Sequence, residues 1–249
     1  MAQESMGAET SRPRSWLLCA AVGTCCLCES LWITISGSAE TRCGPKPGEI
    51  RRHVGTVSQS NRKVFLDFGA KNGDTLIRFI DLMPNPDRWD LWGFEADIKN
   101  AQKADARREF VLSTMRHRVG SFHIIHGAIW NCSETLAFNV GMNEESGSLF
   151  MKRNIRNLTR SVQGYDVAQW IRQHYTPEDY IYVKMDIEGA EYAVIKRMLD
   201  DGVAEWVSKW AVEWHSLAAH DLEMSGGADV RIALEQVASA VGAEYSPYF

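Results

Sequence analysis

Four short phrases place ionisable side chains at the ends of apolar runs. Residues 64–66 run into Asp67, residues 91–94 into Glu95, and residues 180–185 into Asp186 with Glu188 two positions on. A stretch from Lys209 runs into Glu213 with His215 just beyond. A carboxylate at such a place can accept hydrogen bonds from sugar hydroxyls. An imidazole titrates near neutral pH and can take the proton of a reacting hydroxyl. Asp186, Glu188, Glu213 and His215 are the candidate bases, and His215 leads among them. The same four are chemically a carboxylate and imidazole metal set, but no close ligand spacing along the chain demands a metal, and none is expected.

The phrase VFLDFGAKNGDT adds a glycine loop to the first carboxylate. Gly69 and Gly73 let the backbone turn sharply and come closer to a ligand than a β-carbon would allow. Asp74 or Thr75 is placed to cap the helix that follows, whose apolar residues Leu76, Ile80 and Met83 recur until Pro84 and Pro86 stop the pattern. Glu95 lies 22 residues after Gly73, close to the spacing at which a second-strand carboxylate accepts the hydroxyls of a ribose. A nicotinamide dinucleotide usually meets GxGxxG, whose middle glycine makes room for a pyrophosphate. Here that region reads Gly69, Ala70, Lys71, Asn72, Gly73, a DxGAxxG pattern that suits S-adenosylmethionine, which carries an amino-acid tail and no pyrophosphate.

These side chains need a scaffold that brings strand ends together. The continuous apolar run at 64–66 and the mostly apolar stretches at 91–94, 122–125, 180–185 and 209–213 read as buried strands. Between them fall helical stripes: Val167, Trp170 and Ile171 after a loop beginning at Val162; Val194, Ile195, Met198 and Leu199, ended by Gly202; and a last amphipathic helix over 228–241. The alternation predicts an α/β fold, a doubly wound, mostly parallel Rossmann-like sheet with its ligands at the carboxyl edge.

In order along the chain, DFGAKNGDT, GFEAD, FHIIHGAIW, KMDIEGAEYAVIK and AVEWH resemble the FkbM-type family of S-adenosylmethionine-dependent methyltransferases. The most specific element is KMDIEGAEY, where Asp186, Glu188, Gly189 and Glu191 match the family's strand-end phrase. Lys71 stands where the family usually has Asn. The resemblance implies that Asp67, Gly69 and Gly73 shape the cofactor loop, with Ala70 and Thr75 beside them, and that Glu95 holds the ribose. It further implies that Ala128 and Ile129 line the adenine and that Asp186 faces the methyl-transfer centre. The cofactor implied is S-adenosyl-L-methionine, and the reaction is methyl transfer to an oxygen of a small-molecule, sugar or lipid-linked acceptor. The reversed C-terminal hairpin common in this fold is expected to be shortened or absent. The alternatives are a catalytically silent module of the same fold and an NAD-dependent oxidoreductase, the latter disfavoured by the missing middle glycine.

The chain has 249 residues, 45% hydrophobic and 24% charged, enough for one α/β core without covalent staples. A formal net charge of −5 argues against a surface that coats nucleic acid. One basic run, KRNIRNLTR with Lys152, Arg153, Arg156 and Arg160, would favour an anionic acceptor. At the other end, Arg12 and Arg14 precede an apolar stretch interrupted only around Glu29. Residues 1–14 are expected to be cytoplasmic, 15–36 a signal anchor or signal peptide, 37–60 a stem and 61–249 the methyltransferase-like domain. That arrangement predicts a lumenal domain tethered to a membrane of the secretory pathway, or a secreted one if the segment is cleaved. Cys19, Cys25, Cys26 and Cys28 lie in the apolar stretch, leaving Cys43 and Cys132 for one optional disulfide. Asn131-Cys132-Ser133 and Asn157-Leu158-Thr159 match the glycosylation pattern.

Overall fold

A computed structural model describes residues 61–142, 147–150, 155–215 and 227–246, with 155–157 described in their backbone only. All belong to one compact unit, Arg42–Phe249. The expected anchor and stem, with their cysteines, lie outside the described residues, as do Lys152 and Arg153. None of the described helices is long and apolar enough to cross a membrane.

The apolar runs form the strands they predict. β1 (Lys63–Phe68), β2 (Trp89–Glu95), β3 (Ser121–His126), β7 (Tyr180–Met185), β8 (Val207–Val212) and β9 (Glu244–Ser246) make one sheet in the order β3-β2-β1-β7-β8-β9. All five pairings in it are parallel. Among the described residues this sheet has no antiparallel strand, so the last hairpin of the expected fold is represented by β9 alone.

Both faces of β1 are covered, which is why its residues are apolar in succession and not in alternation. Val64, Leu66 and Phe68 enter a core with Val167 and Ile171 of α3 (Val167–His174), Val194, Ile195 and Met198 of α4 (Glu191–Asp200), and Leu234 of α5 (Gly227–Val241). Phe65 points the other way, to Leu76, Phe79 and Ile80 of α1 (Asp74–Leu82) and Val111 of α2 (Ile98–Thr114). Its ring stacks on Phe79 with centroids 4.2 Å apart. Each such fully buried side chain contributes roughly 1.5 to 3 kcal/mol.

Three local expectations are corrected. β1 continues through Phe68, so Asp67 lies inside the strand and not at its end. No side chain caps α1: the cap position is Gly73 at φ 85, and Asp74 is the first helical residue, engaged by Arg107 of α2. The loop expected from Val162 is instead the end of β6 (Ile155–Asp166), a twelve-residue strand in a second sheet ordered β4-β6-β5, with β4 (Ala128–Trp130) and β5 (Thr135–Gly141). Leu158, Thr159, Ser161 and Gln163 on β6 are exposed. The strand is held by its ladder to β5 more than by burial, so its sequence carries no apolar alternation to read.

Strand order reverses between β1 and β7: the chain steps outward through β2 and β3, then returns to the other side of β1. A crevice opens at the carboxyl ends of strands at such a point. The second sheet lies in the long β3 to β7 connection and supplies a wall for it.

Candidate active site

A cavity of about 370 Å³ occupies that edge, and the strands of the central sheet that border it contribute from their carboxyl ends. From β1 come Gly69 and Lys71, from β2 Phe94 and Glu95, from β4 Ala128 and Ile129, from β7 Asp186 and Glu188, and from the end of β8 Glu213 and His215. Phe138 and Gly141 of β5, with Gly147 and Leu149, close the side.

The loop after β1 is shaped by close backbone approach. Gly69 and Ala70 both donate to the Phe94 carbonyl, at 3.0 and 2.9 Å, and Gly69 adopts φ +89. A β-carbon at Gly69 would overlap the carbonyl oxygen of Asp186, so only glycine lets the loops after β1 and β7 lie this near each other. Lys71 follows at φ 51, an uncommon conformation for a residue with a side chain, and its N–H donates to Glu95 Oε2 at 2.7 Å.

Glu95 is 9% exposed, and its other oxygen accepts from the Asp97 N–H at 2.7 Å. Burial pushes its carboxyl up to about 7, against the pull of those two backbone donors. Asp97 is itself the cap of α2, accepting from Lys99 and Asn100, and both Asp97 and Asn100 line the cavity. The helix start that meets the cavity beyond Glu95 is therefore that of α2. The start of α1 does not: Gly73 packs against Ala104 of α2, and neither Gly73 nor Thr75 borders the space. Ala70, 2% exposed, is also packed away from it.

Asp67 is absent from the lining as well, because its place within β1 turns its side chain under the loop. It is fully buried, and its companion is Lys184, directly opposite on β7. The Lys184 ammonium stands 3.1 Å from Asp67 Oδ1 and 3.6 Å from Asp186 Oδ2, and donates to the Gly69 carbonyl at 3.0 Å. Burial raises the Asp67 carboxyl to about 6 in spite of the amine. Burial works against the Lys184 charge too, yet the two carboxylates hold its pKa above the ordinary value. Sequence reasoning passed over Lys184; the one signal was a cation inside an otherwise apolar strand.

At the far end, Asp186, Glu188 and His215 converge. His215 Nε2 is 3.8 Å from Asp186 Oδ1, 3.8 Å from Glu188 Oε2 and 4.0 Å from Glu213 Oε1. Asp186, Glu188 and His215 each offer one ligand atom within 4.8 Å of the others, so they are the residues among those described that could hold a metal. Glu188 sits at φ 57, and its carbonyl accepts from Ser148 Oγ at 2.8 Å.

Behind the imidazole lies Glu191, 0% exposed. One carboxylate oxygen takes Nδ1 of His215 at 3.0 Å and the Ile187 N–H at 2.9 Å, and the other takes the Gly189 N–H at 2.9 Å. That contact assigns the Nδ1 proton toward Glu191 and leaves Nε2 facing the cavity. The hydrogen bond to Glu191 raises the His215 pKa above its ordinary value, with burial opposing and Glu191, Glu188 and Asp186 adding attraction for the proton. Glu191 matched a strand-end phrase in the sequence, but its grip on His215 depends on a contact 24 residues away.

Arg160 of the basic run pairs with Phe138 in the second sheet and is not among the lining residues. The apolar Phe94, Ala128 and Ile129 beside Glu95, next to the Gly69 turn, fit a nucleoside whose base is flat and whose sugar offers hydroxyls.

The sequence profile described as Methyltransferase FkbM domain matches residues 67–230. Among solved structures, the chain is similar to methyltransferase FkbM from Methylobacillus flagellatus KT, at 14% identity and a TM-score of 0.41. The match covers 77% of this chain and 40% of that one, so the chain spans well under half of that protein's length. No curated protein matches the chain.

Proposed function

Because the chain belongs to the FkbM methyltransferase family, we propose that it transfers the methyl group of S-adenosyl-L-methionine to an oxygen of a small-molecule, sugar or lipid-linked acceptor. The observation that carries this reading is one cavity with Glu95 and an apolar cleft at one end and the Asp186, Glu188 and His215 cluster at the other.

When bound, the cofactor supplies an electrophilic methyl group on a positively charged sulfur. Glu95 accepts hydrogen bonds from the ribose hydroxyls, using lone pairs that its two backbone donors leave open. Phe94, Ala128 and Ile129 remove the base from water. Asp186 and Glu188 orient the acceptor hydroxyl, which lowers the entropy cost of an aligned attack. His215 takes that hydroxyl's proton on Nε2, while Glu191 holds Nδ1–H and stabilises the imidazolium that forms.

The direct test is calorimetry on the full chain with S-adenosylhomocysteine and with NAD. Binding of the first without competition from the second is expected. Tight binding of NAD alone would move the protein to the oxidoreductase reading.

The domain is further proposed to lie in the secretory lumen or outside the cell. Cys132 is disulfide-bonded, and every other cysteine lies outside the described residues. Such bonds persist in oxidising compartments. Asn131, at the bend after β4, is half-exposed and opens a glycosylation pattern. Protease protection in sealed microsomes, a mass shift on deglycosylation and Cys132 blocked to alkylation before reduction are the expected results. Full protease access together with a free Cys132 thiol would overturn the proposal.

A further inference from the structure

Resting on the S-adenosylmethionine reading, we propose that Lys184 is a positioning residue that ties the cofactor loop to the acceptor-side carboxylate, so that neither keeps its place without the other. Lys184 is 6% exposed and is not itself a lining residue, but its amine touches two that are, Gly69 and Asp186. An ammonium has three donors. Here one N–H donates to the carbonyl of Gly69 at the first turn of the cofactor loop, and the charge stands within ion-pair distance of two carboxylates, Asp67 inside β1 and Asp186 at the first position after β7.

Stability alone does not call for this arrangement. Replacing a buried ion pair by well-packed apolar side chains is often neutral or stabilising, and the surrounding positions Phe65 and Tyr182 on the same strands are already apolar. What the charged set adds is position. The Gly69 carbonyl and the Asp186 carboxylate belong to the two loops whose backbones are in such close approach that a β-carbon at Gly69 is excluded. Lys184 is the group among the described residues that binds both. A further backbone hydrogen bond, from the Asp186 N–H to the Phe68 carbonyl at 3.0 Å, joins the same two loops but leaves the Asp186 side chain unaimed.

Removing the amine alone would strand Asp67, so the informative variant neutralises both: Asp67→Asn with Lys184→Met. Three properties are read on the full chain: the cooperative melting temperature, S-adenosylhomocysteine affinity by calorimetry, and amide hydrogen exchange of residues 69–73 and 186–189. The expected result is a folded double variant that binds about tenfold or more weakly, the size of loss that follows removal of hydrogen bonds to a charged group. Protection should fall in both segments together. Asp67→Asn alone, which leaves the amine on Gly69 and Asp186, should bind more tightly than the double variant. A purely structural role predicts the reverse pattern, a lowered melting temperature with unchanged affinity, and that outcome overturns the proposal. So does loosening of one segment without the other. If the double variant does not fold, Lys184→Gln, with Asp67 able to take a proton, carries the same comparison. Failure of the unaltered chain to bind S-adenosylhomocysteine would sink the cofactor reading instead, and the exchange measurement would still decide whether Lys184 couples the two segments.

Discussion

Replacing His215 with alanine is expected to lower turnover by about 10² to 10⁴, the usual contribution of a positioned general base, while leaving S-adenosylhomocysteine affinity nearly intact. The split follows from geometry. His215 lies at the carboxylate end of the cavity, next to Asp186, Glu188 and Glu213, while the ribose carboxylate Glu95 belongs to β2 at the other end. The pH dependence has a definite sign. The base form of His215 is the unprotonated one, and Glu191 raises its pKa above the ordinary 6.5. Turnover should therefore climb as pH rises above 6.5, and Glu191→Gln should move that climb to lower pH. Stability runs the opposite way: the bond of protonated His215 to Glu191 is fully present below 6.5 and is lost as pH rises through the raised value. Full turnover by a folded His215→Ala protein on an identified acceptor would discard the assignment and send the search to Glu188 or Glu213.

Glu95→Ala should weaken S-adenosylhomocysteine about ten- to a hundredfold, or roughly 1.5 to 3 kcal/mol, because two hydroxyl hydrogen bonds to a largely buried carboxylate are lost. Burial adds a pH signature. In the free protein Glu95 titrates at about 7, and hydroxyl donors favour its ionised form. Binding should thus release a proton near neutrality, and affinity should be about tenfold lower at pH 6 than at pH 8. Glu95→Gln should bind weakly at both. The free fold should lose some stability as pH rises from 4.5 to 7, since ionising a buried carboxyl costs desolvation. Equal affinity at the two pH values, with Glu95→Ala indistinguishable from the unaltered chain, would remove Glu95 from the ribose.

Much of this architecture could be read along the chain because its central strands are buried on both faces. Tyr180–Met185 is a strand wherever it is placed, since a run of six that is apolar but for Lys184 has few other uses, and its bounds were read without error. The second sheet escaped for the converse reason. Thr135–Gly141 and Ile155–Asp166 are half-exposed partners that pair through backbone groups, which every residue carries alike.

Candidate residues divide along the same line. Glu95, Asp186, Glu188 and His215 were named from their position at or just past strand ends, Ala128 and Ile129 from the family resemblance, and all border the cavity. Asp67, read as a strand end, and Ala70, Gly73 and Thr75, named from the glycine loop and the resemblance, do not. One more residue on β1, Phe68, was enough to put Asp67 inside the strand and its side chain beneath the loop, because successive side chains on a strand point to opposite faces.

Local order, in short runs and turns, follows from steric and hydrophobic preferences that act within a few residues, and so strand, glycine turn and helix were legible from composition and spacing. Partnership is different. Lys184 meets Asp67 across 117 residues and Glu191 meets His215 across 24, through strand pairing and helix docking that no local pattern encodes. A carboxylate's role, whether to hold a ligand, to anchor an amine or to orient an imidazole, depends on which charges the folded chain brings within about 4 Å and on how much water remains around them.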